Sequence, residues 1–519
     1  MFMNAMKNEL NNEKQLTENG AVGFKSTGKK LLDLNFSVAS LRGALEQTII
    51  DKFMDAYWED PIVAIKWLFY TRDCREGLGE RRLFRIVLKH LAQNKPEVIK
   101  AVLKFTSEYG RYDDMWCLLD TDLKQNIIAG VAEQLGEDRI NMENNKSISL
   151  IGKWLPSENA SSKETKRYAT IIRNGLGMTS KNYRKMLSKL RKYIDVVECK
   201  MSAREWGRIN YEAVPSRANL IYNNAFLCND EERRRAYLGA LEKGEAKINA
   251  SVLFPHDIVH KYMSGGMWSQ SVRLHDAALE GMWKALPDTV NGNGNTLVVA
   301  DGSGSMTVNV GGQTSVTALD VANALAIYFA ERASGEFKDK YITFSERPQF
   351  VDFSNAKTLH DKLGIALRHN ECANTNIEAV FDLILQTAVN NHMAQEDIPT
   401  NILIVSDMEF DSCATTNSTR SSGWYSYREA PTATLFETIA KKYEAHGYKL
   451  PRLVFWNVNS RTGTIPVKEN GLGVALVSGF SVNIVKMVMS NKLDPYECLL
   501  DVLNVERYQA IEDAVKDIV

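Results

Sequence analysis

Residues Thr296–Met306 read TLVVADGSGSM, and the fold is decided there. Four apolar residues, Leu297 to Ala300, run between turn formers, which predicts a short buried strand. The strand delivers Asp301 to its C-terminal end, where a Gly-Ser-Gly-Ser loop begins at once. The two glycines permit a tight backbone path, and Asp301, Ser303 and Ser305 offer oxygens on alternate residues. Ligands of open α/β sheets bind at the mouth formed by strand C-termini. Carboxylate and hydroxyl oxygens gathered at such a mouth suit a hard divalent cation such as Mg²⁺. Taken alone, the same loop also reads as a plain turn.

Downstream, apolar strands expected at 341–345, 402–406, 453–456 and 473–477 alternate with helices expected at 317–334, 357–367, 377–391 and 431–446. Such alternation predicts a doubly wound parallel sheet with both faces covered, occupying 291–519. The turn-rich NGNGN at 291–295 marks its start. A Ser/Thr-rich stretch, SCATTNSTRSSGWYSYREA, follows Asp411 and is long for an α/β loop, as functional loops often are.

Two more segments bring oxygens to the same mouth. Asn374-Thr375-Asn376 sets a hydroxyl at the start of the helix expected from 377. The 402–406 strand ends in Ser406-Asp407, adding a second carboxylate. Each of Asp301, Ser303, Ser305, Thr375 and Asp407 also has a reading as a turn or helix-cap residue. Five oxygen donors at the correct strand ends favour a shared cation, Mg²⁺ or another divalent ion such as Mn²⁺ or Ca²⁺.

The pattern DxSGS, then Thr, then Asp resembles the metal-ion-dependent adhesion site of von Willebrand factor A-like domains. That resemblance implies direct metal contact from Ser303, Ser305 and Thr375, direct or water-mediated contact from Asp301 and Asp407, and one position left for an acidic ligand oxygen. The runs VADGSGSM, YITFSERP, NTNIEAVFDLIL, VSDMEFD, VFWNVN and GVALVSGFS resemble the uncharacterised family "domain of unknown function 2828". So do KWLPSENASS, YRKMLSKLRKYIDVVE and AVPSRANLIYNNAF upstream. The family is described as related to the Ro/TROVE ribonucleoproteins, in which a helical-repeat ring joins a von Willebrand A-like domain and binds structured RNA.

Upstream of 291, residues 1–40 are polar and mixed and read as an N-terminal arm. Residues 41–290 read as helix after helix, with three- and four-residue apolar spacing near 64–70, 82–92, 97–109, 123–135 and 183–197. Prolines punctuate them. The expectation is an α-helical array, TROVE/HEAT-like by the resemblance, with no fixed period clear enough to define a repeat. In GRYDDMW (110–116), Asp113 or Asp114 is expected to cap a helix.

The chain has 519 residues, 44% hydrophobic and 24% charged, with net charge −1, so overall electrostatics select no partner. Seven scattered cysteines without a CxxC argue for a reducing compartment. No apolar run reaches membrane-span length and no signal-like segment opens the chain, so a cytoplasmic protein without a membrane role is expected.

From Lys163 to Arg217 basic residues outnumber acidic ones roughly three to one. Lys181, Arg184, Lys185, Lys189, Arg191 and Lys192 cluster there, with Tyr183, Tyr193 and Trp206 among them, a composition that suits RNA. The competing reading is a solvated helix face. Arg72–Arg85 and Arg233–Arg235 could extend such a surface. No GxxxxGK[ST], HExxH or GxSxG occurs, so no enzyme is expected, although Glu409 and Asp411 place acids near the metal. The expected function is non-catalytic binding in an RNA-binding ribonucleoprotein component with a Mg²⁺-binding module. The alternative is a metal-dependent protein–protein scaffold without RNA, whose partner offers an acidic side chain.

Overall fold

The computed structural model describes residues 13–264, 271–290, 295–311, 315–412, 434–488 and 492–519. Most of NGNGN and nearly all of the Ser/Thr-rich stretch lie outside them. The chain forms two compact units: Met1–Thr48 with Leu253–Val502, and Ile49–Val252 with Leu503–Val519.

The first unit is built on a six-stranded mixed sheet in the order Val474–Ser478, Arg452–Asn457, Asn401–Ser406, Thr296–Asp301, Lys340–Phe344, Gln349–Asp352. The first five strands run parallel, and Leu297 lies opposite Ile402 as Ser406 lies opposite Asn457. Every residue of Thr296–Asp301, Arg452–Asn457 and Val474–Ser478 is buried. Successive strand residues face opposite sides, so unbroken burial means that both sheet faces are covered. One such cover is the helix Ala318–Arg332, in which every residue from Ala318 to Ala330 is buried. Alanines at five of those positions let its backbone sit close to the strands beneath.

The sheet is mixed rather than wholly parallel as expected. Gln349–Asp352 turns back antiparallel to Lys340–Phe344 at the edge. Its four residues, QFVD, bury only Val351, too short an alternation to stand out from a loop.

The N-terminal segment is part of this unit. Lys14–Leu16 and Val22–Phe24 pair as an antiparallel hairpin, and Phe24 exchanges backbone hydrogen bonds of 2.8 and 2.9 Å with Ile465. Gly23 is required at that junction, since a Cβ there would stand 2.7 Å from the Ile465 carbonyl oxygen. The helix Lys30–Phe36 follows, and Asn457 Nδ2 donates to the Phe36 carbonyl at 2.8 Å.

The second unit is helical. Arg82–Asn94 shows why: its buried residues, Leu83, Phe84, Val87, Leu88, Leu91 and Ala92, recur at helical spacing along one face. Pro61–Arg72 starts on Pro61 with the Asp60 carboxylate accepting from Val63 N at 3.0 Å. Asp114 caps its turn by accepting from Arg111 N at 2.9 Å, and it also takes Arg72 and Arg85, each at 2.7 Å. The last residues close onto this unit: Lys66 pairs with Glu512 at 2.7 Å, and Arg507 Nη2 reaches Asp73 at 2.9 Å. The units divide the chain at 48/49, 252/253 and 502/503. Among the described residues no helix is long and apolar enough to cross a membrane.

Candidate metal centre

The C-terminal ends of Thr296–Asp301 and Asn401–Ser406, neighbours in the sheet, bring Asp301 and Asp407 to one edge. Both are buried, at 1% and 0% exposure. Asp301 Oδ1 accepts from Ser303 N at 2.9 Å and Oδ2 from Ser406 Oγ at 2.6 Å, which folds the loop back over the strand end. Ser303 Oγ and Ser305 Oγ lie 3.0 Å apart, and the Ser305 hydroxyl bonds Asp407. Gly302 N donates to Phe344 O at 2.8 Å, and a Cβ on Gly302 would meet Thr343 Oγ1 at 2.9 Å, so glycine alone lets the loop lie this low.

The segment carrying Thr375 is laid along that loop. Cys372 N donates to Gly302 O and Gly304 N to Ala373 O, both at 3.0 Å. Thr375 N donates to Asp411 Oδ2, and Asp411 N returns a bond to Thr375 O, both at 3.1 Å. The Thr375 hydroxyl is buried and accepts from Asn19 Nδ2 at 3.3 Å. Thus Asp301, Ser303, Ser305 and Asp407 form one hydrogen-bonded set, and Thr375 joins it through the backbone ties of its segment.

Burial pushes the Asp301 carboxyl up to about 7, with the neighbouring Asp407 charge adding to the effect. Asp407 is pushed up to about 6 by burial, against the pull of Ser305 and Arg461. Two ionised carboxylates in one dry place repel, and a cation relieves both desolvation and repulsion. The oxygens suit one. Cis ligands of an octahedral Mg²⁺ at 2.0–2.1 Å stand about 2.9 Å apart, close to the spacing of the two serine hydroxyls. Among the described residues no three His, Cys, Asp or Glu gather at a metal-binding distance, so this donor set is hydroxyl-rich.

The pH dependence has a definite sign. A carboxyl whose folded-state pKa is raised stabilises the fold below the unfolded value of 3.8, and that stability is lost as pH rises through about 7. In EDTA, thermal unfolding of the wild-type chain is expected to move to lower temperature between pH 5 and pH 8. Asp407→Asn should shrink that fall, read by calorimetry at both pH values.

Asp411 is taken up in holding Thr375, and Glu409 in holding two loops. Buried Glu409 accepts at Oε1 from Arg461 N (2.8 Å), Thr462 N (2.9 Å) and Thr462 Oγ1 (3.0 Å), and at Oε2 from Glu18 N (2.8 Å). It is a pin for two loops. Met408, between Asp407 and Glu409, adopts a left-handed backbone with φ 63°. Residues that the spacing argument missed are Asn19 and Arg461, the latter with Nη2 3.3 Å from Asp407 Oδ2. Neither belongs to the strand–loop pattern: Asn19 is brought in from 356 positions away in the chain and Arg461 from 54.

A Ser-His-Asp grouping is found at the start of Ala318–Arg332. His260 Nδ1 lies 2.7 Å from Asp320 Oδ2 and its Nε2 2.8 Å from Ser315 Oγ. The same Asp320 oxygen accepts from Thr317 N at 3.1 Å as the helix-capping partner, which ties the trio to a helix start.

In the helical unit, Ser180–Ile194 buries Tyr183, Leu187 and Leu190. Lys181, Arg184, Lys185, Lys189 and Lys192 are exposed and fall on the opposite face at helical spacing. None forms an ion pair with the described residues. Arg191 departs from the group: its guanidinium donates to Gly152 O, Ser157 Oγ and Leu155 O at 3.0, 2.9 and 2.8 Å. Tyr183 is buried with its hydroxyl on Pro156 O, so it offers no stacking face. Arg72, Arg85 and Arg234 are likewise structural, Arg234 being buried against Asn219 and Asn223.

Residues 17–108 and 161–296 match the domain of unknown function DUF2828, and residues 295–515 match the domain of unknown function DUF7788. The C-terminal runs read as part of the first family thus fall in the second match. The chain is 30% identical over 527 residues to Uncharacterized protein L728 of Acanthamoeba polyphaga mimivirus, covering 94% of this chain and 86% of that protein.

Proposed function

Since the chain belongs to the DUF2828 family, over a relationship spanning both units, we propose that it is a non-catalytic binding protein that pairs a cation-holding α/β unit with an RNA-gripping helical unit. On this reading the α/β unit is von Willebrand A-like and its edge is a metal-ion-dependent adhesion site. Ser303, Ser305 and Thr375 would hold Mg²⁺ directly, and Asp301 and Asp407 directly or through water. The ion would supply a Lewis-acidic position for an acidic oxygen. The observation carrying this part is the buried pair Asp301 and Asp407 beside two hydroxyls 3.0 Å apart. Isothermal titration with Mg²⁺ or Mn²⁺ tests it, with one ion bound per chain expected.

The RNA part is supported by the five exposed cations on one face of Ser180–Ile194 in the helical unit. Phosphate contacts release counterions, so each cation that touches a phosphate adds about 0.9 to the salt slope of binding. Lys185→Glu with Lys189→Glu is expected to weaken binding of a structured RNA at least about tenfold and to lower the slope by about 2. A filter-binding titration from 50 to 200 mM salt measures both quantities. An unchanged slope would leave the metal-dependent protein scaffold as the better reading, which Arg461 beside the centre favours through its affinity for carboxylates.

A further inference from the structure

The turn of the N-terminal hairpin lies on the candidate cation centre. Asn19 Nδ2 donates to Thr375 Oγ1 at 3.3 Å and to Glu409 O at 2.6 Å. Thr17 Oγ1 donates to Phe410 O at 2.6 Å, and Glu18 N to the Glu409 carboxylate at 2.8 Å. These bonds hold the backbone of the turn in place. The Glu18 side chain is held differently. Its Oε2 stands 2.7 Å from Arg461 Nη2, the nitrogen that also lies 3.3 Å from Asp407 Oδ2.

Arg461 thus bridges an interior carboxylate of the centre and a surface carboxylate supplied by the chain itself. The outer half of that bridge is open to water, with Arg461 36% and Glu18 54% exposed. Solvent screens such a pair, and it is readily exchanged for another anion. The inner half is fixed, because Arg461 N donates to buried Glu409 and the 457–461 turn is folded by Asn457 Oδ1, which accepts from Asn459 N and Ser460 N. A planar guanidinium can take a carboxylate through two parallel N–H bonds, and here Glu18 Oε2 is set against one of its nitrogens, Nη2.

We propose that Glu18 is an intrachain stand-in for the acidic side chain of a protein partner, and that Arg461 together with the bound cation recognises that side chain. The proposal rests on the cation reading above. The partner's carboxylate takes one oxygen toward the cation and one toward Arg461, and Glu18 swings into solvent while the anchored turn stays. Access to the centre is therefore set by competition between two carboxylates for one arginine, and no domain motion is required.

The test uses the full chain, Mn²⁺ as the ion and acetate as the carboxylate probe. Free Mn²⁺ is read by its electron paramagnetic resonance signal, and acetate binding by its effect on water-proton relaxation at bound Mn²⁺. Glu18→Gln is expected to bind Mn²⁺ within twofold of wild type and acetate about fivefold more tightly, the worth of a half-exposed ion pair. Adding Arg461→Gln should abolish that gain. Matched thermal unfolding of the variants checks that each is folded. Equal acetate affinity in wild type and Glu18→Gln, both loaded with Mn²⁺, overturns this proposal alone. So does a gain that survives Arg461→Gln. Wild type that binds no Mn²⁺, or that binds it no better than Asp301→Asn, overturns the cation reading and this proposal together.

Discussion

Asp301→Asn is expected to lose the cation and, in its absence, to gain stability. The asparagine keeps the local bonds: its oxygen accepts from Ser303 N, and its amide can donate to Ser406 Oγ, which now donates to Asp301. What it removes is the buried charge. The ionised Asp301 carboxylate is unfavourable in the metal-free fold, as its raised pKa shows, so at pH 8 in EDTA the variant should unfold at a higher temperature than wild type. In saturating Mg²⁺ the order should reverse, because wild type gains the linkage of binding and the variant does not. A loss of affinity of at least about 100-fold is expected, beyond the usual effect of altering a partner outside the coordination sphere. Differential scanning calorimetry with EDTA and with Mg²⁺ reads both signs. A variant with lower stability in EDTA and an undiminished response to Mg²⁺ would mean that Asp301 is a loop-closing residue and nothing more.

The second large effect is on stability. Glu409→Ala removes an acceptor buried at 0% exposure and leaves the backbone N–H groups of Glu18, Arg461 and Thr462 without their partner. Each orphaned donor costs about 1–3 kcal/mol, so a total of at least about 3 kcal/mol is expected. The loss should be local before it is global. Amide hydrogen exchange at Glu18, Arg461 and Thr462 should accelerate at denaturant concentrations that leave the central strands protected. Glu409→Gln should fall between, since it keeps one acceptor oxygen and sets an amide nitrogen against donors. If the alanine variant unfolds at the wild-type urea midpoint, the two loops have other means of support.

The strands and helices around the site were legible because each is strongly patterned within a few residues. Thr296–Asp301, Asn401–Ser406, Arg452–Asn457 and Val474–Ser478 lie within a residue or two of the apolar runs that predict them. That Asp301, Ser303, Ser305 and Asp407 would come together was legible for the same reason, because each follows a strand end closely. Thr375 is carried in by a loop whose course depends on bonds to Gly302 and Gly304, and local pattern does not record such bonds. Arg191 illustrates the limit on the helical side. Its neighbours in sequence are solvated cations, yet its position on the helix turns it toward three oxygens of the 152–157 segment. Charge clustering sees composition, whereas pairing is decided by which side of the helix a residue takes. The hairpin was invisible on its own terms: Gln15 reaches Thr464 Oγ1 at 2.8 Å across 449 positions of chain, and a three-residue strand carries no period.

The threading of the polypeptide between its two units bears on how the protein can be made and handled. Residues up to 48 wait for strands that end near 478, and the helices after 49 wait for residues 503–519. During synthesis the first unit cannot finish before residue 502 has been made, nor the second before residues 503–519, so each waits as an incomplete surface. Scissile points at 48/49 or 252/253 do not yield independent halves, because every cut strands a piece of one unit on the other fragment. Two polypeptides split at 252/253 would have to exchange their terminal segments to restore both cores, which makes complementation by co-expression the natural way to divide this protein.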